Sequence, residues 1–327
     1  MRAITYDRFG PASEVLTLTD LPVPTVAPGE VLVRLKTSGV NPSDIRARAG
    51  GRPGVTKPPF PQIIPHSDGA GVVEAVGEGV DAARIGQRVW VWNGQWQRAF
   101  GTAADYITLP AEQAVELPDH VSFEEGAILG IPGLTAVHAV LGGGSVAGKT
   151  VLISGGAGTV GRIAVQAAKA SGARVLTTAR PAAHADLKAL GAEVFDYSVP
   201  DLAEQILAAT NGALIDRIVE VEFGKNADTN AQIIAERGTI AAFGSALDMA
   251  PVMPFYPLMF KAVNIDLVLV YLLAATERQA AIANLTDLLD RKVLDLRIAE
   301  VMPLEDCARA HDLITSGARA GSVVLTI

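Results

Sequence analysis

Eight residues constrain this chain more than any others. Ser154-Gly155-Gly156-Ala157-Gly158-Thr159-Val160-Gly161 follows the apolar run Thr150-Val151-Leu152-Ile153 and opens a small-residue segment carrying Ile163, Ala164, Ala167 and Ala168. Gly156, Gly158 and Gly161 satisfy G-x-G-x-x-G in a strand–turn–helix setting, and that setting separates a dinucleotide-binding turn from a chance glycine cluster. The early glycines permit a tight turn and close approach of the backbone to a pyrophosphate, while Gly161 lets the helix lie against the strand. Free N–H groups and the positive end of the helix dipole then receive the phosphates.

The residues that follow bear on which dinucleotide is expected. NAD-binding turns of this kind place Asp or Glu about twenty residues on, at the end of the second strand, to hold the ribose hydroxyls. Here that stretch is Thr177-Thr178-Ala179-Arg180-Pro181, without a carboxylate. Arg180 can pair with a 2′-phosphate through charge-assisted hydrogen bonds worth roughly 1.5–3 kcal/mol. NADPH is therefore the expected cofactor, with His184 a second candidate for the phosphate and a solvated turn residue the plainer reading of Arg180.

At 327 residues the chain exceeds the size at which one core keeps growing, so two domains are expected. Up to about Asp119 it reads as strands separated by Pro/Gly clusters: Glu30–Leu35, Gly71–Val76 and Arg88–Val91, divided by Ala27-Pro28-Gly29 and Lys57-Pro58-Pro59. Helical text begins at Phe123, runs to Leu129, and resumes after Ile131-Pro132-Gly133 through Val140. Beyond Lys149, apolar runs at Thr150–Ile153, Arg174–Thr177, Arg217–Glu220 and Thr239–Phe243 alternate with amphipathic segments at Arg162–Ala170, Ala183–Leu190, Asp201–Ala209 and Asn226–Ala235. Strands spaced by helices predict an α/β, doubly wound parallel sheet of the Rossmann type. The tail from Thr276 reads helix, strand (Ile298–Met302), helix (Leu304–Ile314), strand (Ser322–Ile327).

Charge and cysteine content narrow the function classes. The formal net charge is −8, and the 27 Lys and Arg are scattered, so no nucleic-acid partner is expected. Cys307 is the single cysteine, which excludes an intrachain disulfide and a thiolate zinc cage and fits a cytoplasmic location. The N-terminal Met1–Asp7 has no apolar signal core. The longest greasy run, Ile265–Ala275, contains Asp266 and is too short to span a bilayer, so a buried strand and no membrane association are expected.

Several motifs in fixed order carry a resemblance along essentially the whole chain: Ser38-Gly39-Val40-Asn41-Pro42-Ser43-Asp44, Ser67-Asp68-Gly69-Ala70-Gly71-Val72-Val73 with Val76-Gly77, Gly86-Gln87-Arg88-Val89, Ile131-Pro132-Gly133-Leu134-Thr135-Ala136, and the glycine turn. The chain resembles the zinc-independent, zeta-crystallin-like quinone oxidoreductases of the medium-chain dehydrogenase/reductase superfamily. The resemblance implies a GroES-like, mostly-β catalytic domain over residues 1–122, a Rossmann nucleotide-binding domain over 123–272, and a return to the catalytic domain over 273–327. It implies homodimers, paired through a last strand expected at Ile265–Leu272. It places Asn41 and Thr135 near the nicotinamide, with Asn41 the one candidate catalytic residue. Gly156, Ala157, Gly158, Thr159 and Val160 fall near the pyrophosphate; Ala179, Arg180 and Tyr197 at the adenosine end; Phe243 and Ser245 near the nicotinamide ribose. A turn-stabilising role for Asn41 is the competing reading.

Zinc alcohol dehydrogenases share the architecture, with a cysteine where Asn41 stands and a histidine where His66 stands. This chain retains His66, is expected to have no thiol near it, and lacks the four-cysteine lobe, so no metal is expected. His66 then becomes a turn residue where the resemblance implies Gly. Without a Lewis acid, hydride addition to a quinone or other α,β-unsaturated carbonyl is the implied chemistry, because the acceptor delocalises the charge itself. Arg46 and Arg52 replace tyrosines of the family pattern and are assigned to the substrate pocket, where they would suit an anionic or phosphate-bearing acceptor. Thr159 replaces a glycine of the phosphate loop and is compatible with it if its φ is negative. No proton donor is identified: His138 and His311 fall in expected helices. The alternatives are an enoyl-thioester or 2-alkenal reductase, and a non-catalytic, crystallin-like NADPH-binding protein.

Overall fold

The computed structural model describes residues 1–327 except 52, 53, 318 and 319. The chain forms two compact units, Met1–Ile131 with Leu296–Ile327, and Pro132–Asp295. The division thus falls at 131/132 and 295/296, in place of the expected 122/123 and 272/273. The long helix Ala275–Asp290 belongs to the second unit, because its apolar face, including Ala281, Leu285 and Leu288, is buried there against the helix Leu134–Leu141.

The second unit carries a six-stranded parallel sheet in the spatial order Glu193–Phe195, Arg174–Thr178, Thr150–Ile153, Ile215–Glu220, Ile234–Ala242, Asn264–Leu267. Numbered along the chain this is 3-2-1-4-5-6, the doubly wound order in which the strand direction of travel reverses beside the first strand. The strand Thr150–Ile153 lies at that reversal and feeds the glycine turn. Its near-continuous apolar text follows from its place in the middle of the sheet, where Val151, Leu152 and Ile153 are all buried. Leu152, Leu176, Ile206, Ile218, Ile233 and Ile240 form the core on one side of the sheet.

The first unit is built on a seven-stranded sheet, largely antiparallel, with Glu30–Val40 at its centre pairing Asp68–Val76, Tyr106–Pro110 and Ser322–Thr326. The last strand of the chain therefore completes the sheet begun by the first hundred residues, and Ile298–Pro303 adds a parallel edge beside it. The helix Cys307–Ser316 covers this end, burying Cys307, Ala310, His311 and Ile314 against a core that includes Ile4, Val40, Ile64 and Val323.

The expected last strand, Ile265–Leu272, is shorter and less covered than its composition implied. It spans Asn264–Leu267 and gives way to a 3₁₀ turn at Val270–Leu272. Leu267 and Leu272 are 74% and 65% exposed, so the greasy run is not a buried strand of this chain. Among the described residues it sits at the sheet edge, paired on one side only, with Ile234–Ala242. No helix among the described residues is long and apolar enough to cross a membrane.

Candidate functional site

The glycine turn takes the shape its sequence requires. Gly155 has φ +72°, a left-handed conformation that Cβ-bearing residues rarely adopt. Its N–H donates to the Thr178 hydroxyl at 3.1 Å, and the Gly156 N–H donates to the Thr178 carbonyl at 3.0 Å. A Cβ at Gly156 would stand 2.1 Å from Thr177 Oγ1, and one at Gly161 would stand 2.2 Å from the Gly155 carbonyl oxygen. Both glycines are thus demanded by the packing of the turn on the neighbouring strand and on itself. Gly158 differs. Its φ is −75°, and the nearest atom to an added Cβ, the Gly155 carbonyl oxygen, is at an ordinary 3.5 Å. The protein itself leaves room at Gly158, the N-cap of the helix Thr159–Ala170, where N–H groups are left without intrahelical partners. Thr159 starts that helix without a positive φ, and Ala157 and Val160 flank the cap.

The turn is braced from the far side. Glu220, fully buried at the end of its strand, accepts from the Glu222 N–H at 2.6 Å, from Asn226 Nδ2 at 3.0 Å and from Asn230 Nδ2 at 2.8 Å. Asn226 Nδ2 also donates to Ser154 Oγ at 3.2 Å. These residues were absent from the sequence expectations; a carboxylate ending an apolar strand beside a glycine turn is the signal that pointed to them.

At the end of the second strand, Ala179 is buried and Arg180 is exposed. Arg180 Nε donates to the Tyr197 hydroxyl at 2.7 Å, joining two residues expected at the adenosine end. Among the described residues neither Nη of Arg180 is hydrogen-bonded to protein. His184, the second candidate, donates Nε2–H to the Ala179 carbonyl at 3.1 Å. On the other side of the sheet, Phe243 N–H donates to the Glu220 carbonyl, while Ser245 Oγ accepts from the Gly224 N–H at 2.9 Å and donates to the Asp248 carbonyl. Ser245 therefore braces its own loop. Thr135 lies in the helix Leu134–Leu141 and is 5% exposed.

In the first unit, Asn41 caps the helix Pro42–Ala49, its N–H donating to Asp44 Oδ2 at 2.8 Å. Its Nδ2 donates to Asp68 Oδ2 at 2.8 Å, and both Asp68 oxygens accept the Ile131 N–H at 2.9 Å. The approach is close because residue 130 is glycine: a Cβ there would meet Asp68 Oδ1 at 2.1 Å. Burial pushes the Asp68 carboxyl up to about 7 against the lowering effect of the Ile131 and Asn41 hydrogen bonds. Asp44 is also buried and raised well above the usual carboxylate range. Asn41 thus ties the start of its helix to Asp68, which orients its amide and which sequence reasoning had not singled out. Arg46 is exposed on the same helix, and Arg52 lies outside the described residues.

One expectation is overturned. A thiol does stand beside His66: Cys307 Sγ is 3.8 Å from His66 Nε2, brought there by a helix 241 residues later. His66 Nδ1 meets Ser38 Oγ at 2.9 Å, and its Nε2 meets His311 Nε2 at 2.9 Å. His66 is fully buried with φ +76°, a left-handed conformation that favours glycine.

Comparisons with known proteins converge on these two units. A family model described as "Alcohol dehydrogenase GroES-like domain" matches residues 27–119, and one described as "Zinc-binding dehydrogenase" matches 159–289. The pig (Sus scrofa) quinone oxidoreductase is 31% identical over 333 residues, covering 100% of this chain and 98% of that protein. A mycobacterial protein solved as a complex with NADPH is 31% identical with a TM-score of 0.87, covering 100% of both chains. The crystal structure of an NAD-dependent alcohol dehydrogenase matches with the same TM-score at 29% identity, again over 100% of both chains. The chain belongs to the quinone oxidoreductase family of the medium-chain dehydrogenase/reductases. It is an oxidoreductase, with a GroES-like domain and a Rossmann-like domain.

The second family description mentions zinc, and the residues at the Asn41 position do not fit a catalytic cation. Asn41 directs an amide N–H at Asp68, and the Asp68 oxygens are occupied by N–H donors.

Proposed function

We propose that the protein is a zinc-independent, NADPH-dependent reductase that transfers hydride to a quinone or other α,β-unsaturated carbonyl. One observation carries the reading: the open Cβ position of Gly158 at the head of the helix Thr159–Ala170, together with an Arg180 whose Nη nitrogens have no hydrogen-bond partner among the described residues, at a strand end, residues 177–180, without a carboxylate. When bound, NADPH supplies the hydride. The N–H groups of Ala157 and Val160 hold its diphosphate beside Gly158, whose own N–H donates to the Gly155 carbonyl, and Arg180, steadied by the Tyr197 hydroxyl, grips the 2′-phosphate. Thr135 and Phe243 are assigned to the nicotinamide end. Ser245 serves that end by shaping its loop, and Gly156 and Ala179 by shaping the backbone. Arg46 and Arg52 are assigned to acceptor selection.

With no cation ligand set at Asn41, stabilisation of an alkoxide has no agent, whereas a quinone or enone spreads the incoming charge over its own carbonyl. The protein is further read as cytoplasmic and as a homodimer joined along the edge strand Asn264–Leu267. Turnover of NADPH with a small quinone, a 2-alkenal and an enoyl thioester, measured side by side, tests the acceptor. Quinone or alkenal reduction is expected to dominate. Preference for the thioester would transfer the assignment to enoyl-thioester reduction, and tight NADPH binding with no turnover would make this a binding protein.

A further inference from the structure

His66, Cys307 and His311 bring two imidazole nitrogens and one sulfur within 4.8 Å of one another in the fully buried core of the first unit. Cys307 and His311 are four residues apart, so they occupy one face of the helix Cys307–Ser316. His66 reaches them from the segment ahead of the strand Asp68–Val76.

The hydrogen-bond chain fixes where the protons are. Thr102 Oγ1 donates its only proton to the Asp68 carbonyl at 2.6 Å. Ser38, 2.8 Å from Thr102 Oγ1, must therefore be the donor in that pair. With its proton spent, Ser38 Oγ can only accept from His66 Nδ1–H. His66 is thus the Nδ1–H tautomer, and its Nε2 lone pair faces both His311 and the Cys307 sulfur. His311 Nε2–H fills part of that space by donating to it, and His311 Nδ1 is a buried atom with no hydrogen-bond partner among the described residues. A ring whose outer nitrogen is held by a hydroxyl while its inner lone pair is aimed at a second imidazole and a thiol is the arrangement of an oriented metal ligand.

We propose that His66 Nε2, His311 Nε2 and Cys307 Sγ form a buried N₂S site for a soft d¹⁰ cation, Cu⁺ or Zn²⁺. Ligand bonds of about 2.0–2.1 Å to nitrogen and about 2.3 Å to sulfur require N–N near 3.3–3.5 Å and N–S near 3.5–3.7 Å. The observed N–N distance of 2.9 Å is about 0.4–0.6 Å short, the observed N–S distance of 3.8 Å is about 0.1 Å long, and all three atoms lie within 4.8 Å of one another, so the side chains must shift by up to about an ångström to close on the cation. On binding, the Cys307 thiol loses its proton to solvent, and the His311 proton moves from Nε2 to the unpartnered Nδ1. No electron is transferred. Cu⁺ with one thiolate gives a neutral centre, which suits a dry interior that already holds the Arg48 guanidinium, so Cu⁺ is expected to bind more tightly than Zn²⁺. This site is separate from the Asn41–Asp68 contact, and its existence does not depend on the proposed reaction.

Because all three ligands are buried, the reduced protein is loaded both when folded and during refolding, with Cu⁺ and separately with Zn²⁺, then desalted. Metal per chain is read by plasma emission, and the thermal midpoint and thiolate charge-transfer absorption are recorded. The expected result is about one equivalent of cation, a charge-transfer band and a raised midpoint in the native sequence. All three are lost in Cys307→Ala and in His66→Gly, the latter chosen because glycine accepts φ +76°. Circular dichroism verifies that each variant is folded. Retention of less than about a tenth of an equivalent by the native protein under both loading regimes, or equal binding by the folded variants, overturns the proposal.

Discussion

His66 and His311 show how single residues set the pH response. Burial depresses both imidazoles, His66 well below its usual range and His311 down to about 3, the latter also by Arg48. In the unfolded chain each takes up a proton near pH 6.5, which the folded chain refuses. Their contribution to stability is therefore complete above about pH 6.5 and is lost as pH falls below it, for His311 until about pH 3. Replacing His66 by Gly is expected to reduce the slope of unfolding free energy against pH just below about pH 6, read from urea midpoints. An unchanged slope would mean that the pair is protonated in the fold. Tyr197→Phe addresses the cofactor instead. It removes the hydroxyl that holds Arg180 Nε, and NADPH affinity is expected to fall roughly 2- to 10-fold with NADH affinity unchanged, measured by fluorescence titration.

At the scale of elements, the glycine turn separates two uses of one residue type. Gly156→Ala puts a methyl 2.1 Å from Thr177 Oγ1 and is expected to lower both the thermal midpoint and NADPH binding. Gly158→Ala meets nothing closer than 3.5 Å at a φ that alanine accepts, so its midpoint should stay near that of the native chain while NADPH affinity drops at least about 10-fold. Loss of stability at Gly158, or undiminished binding, would show that no ligand needs that space. The strands around this turn were legible because a centrally placed parallel strand is written as an unbroken apolar run, as at Thr150–Ile153. The run at Ile265–Ala275 misled because apolar text does not say whether its own chain covers it, and Leu267 and Leu272 stay exposed. Arg180 was legible because its partner and its strand end are close in sequence. Asp68 and the Cys307–His311 pair were not, since Asn41, Ile131 and His66 meet them only through strand pairing and the return of the chain end. The unit boundary was likewise misplaced because the text of Ala275–Asp290 says helix without saying which core it covers.

For the whole molecule, the stretch leading into and out of the second unit's edge strand carries Val252, Phe255, Tyr256, Phe260, Leu267 and Leu272, each more than half exposed. A contiguous sequence region this apolar, beside an unpaired parallel edge, is what a partner surface requires and what an isolated chain avoids. Two copies related by a two-fold axis would pair the Asn264–Leu267 edges antiparallel and cover these side chains. Leu267→Lys combined with Phe260→Lys is expected to convert a dimer to a monomer in light-scattering chromatography, with the far-ultraviolet spectrum unchanged. A native protein that elutes as a monomer at micromolar concentration would remove this assignment. The account as a whole rests on the dinucleotide turn and on Arg180, so calorimetric titration of NADPH and NADH into the native protein and Arg180→Ala tests it most directly. NADPH is expected to bind the native chain at least about 10-fold more tightly than NADH, with the difference largely erased in Arg180→Ala. Equal or stronger binding of NADH by the native chain would contradict it.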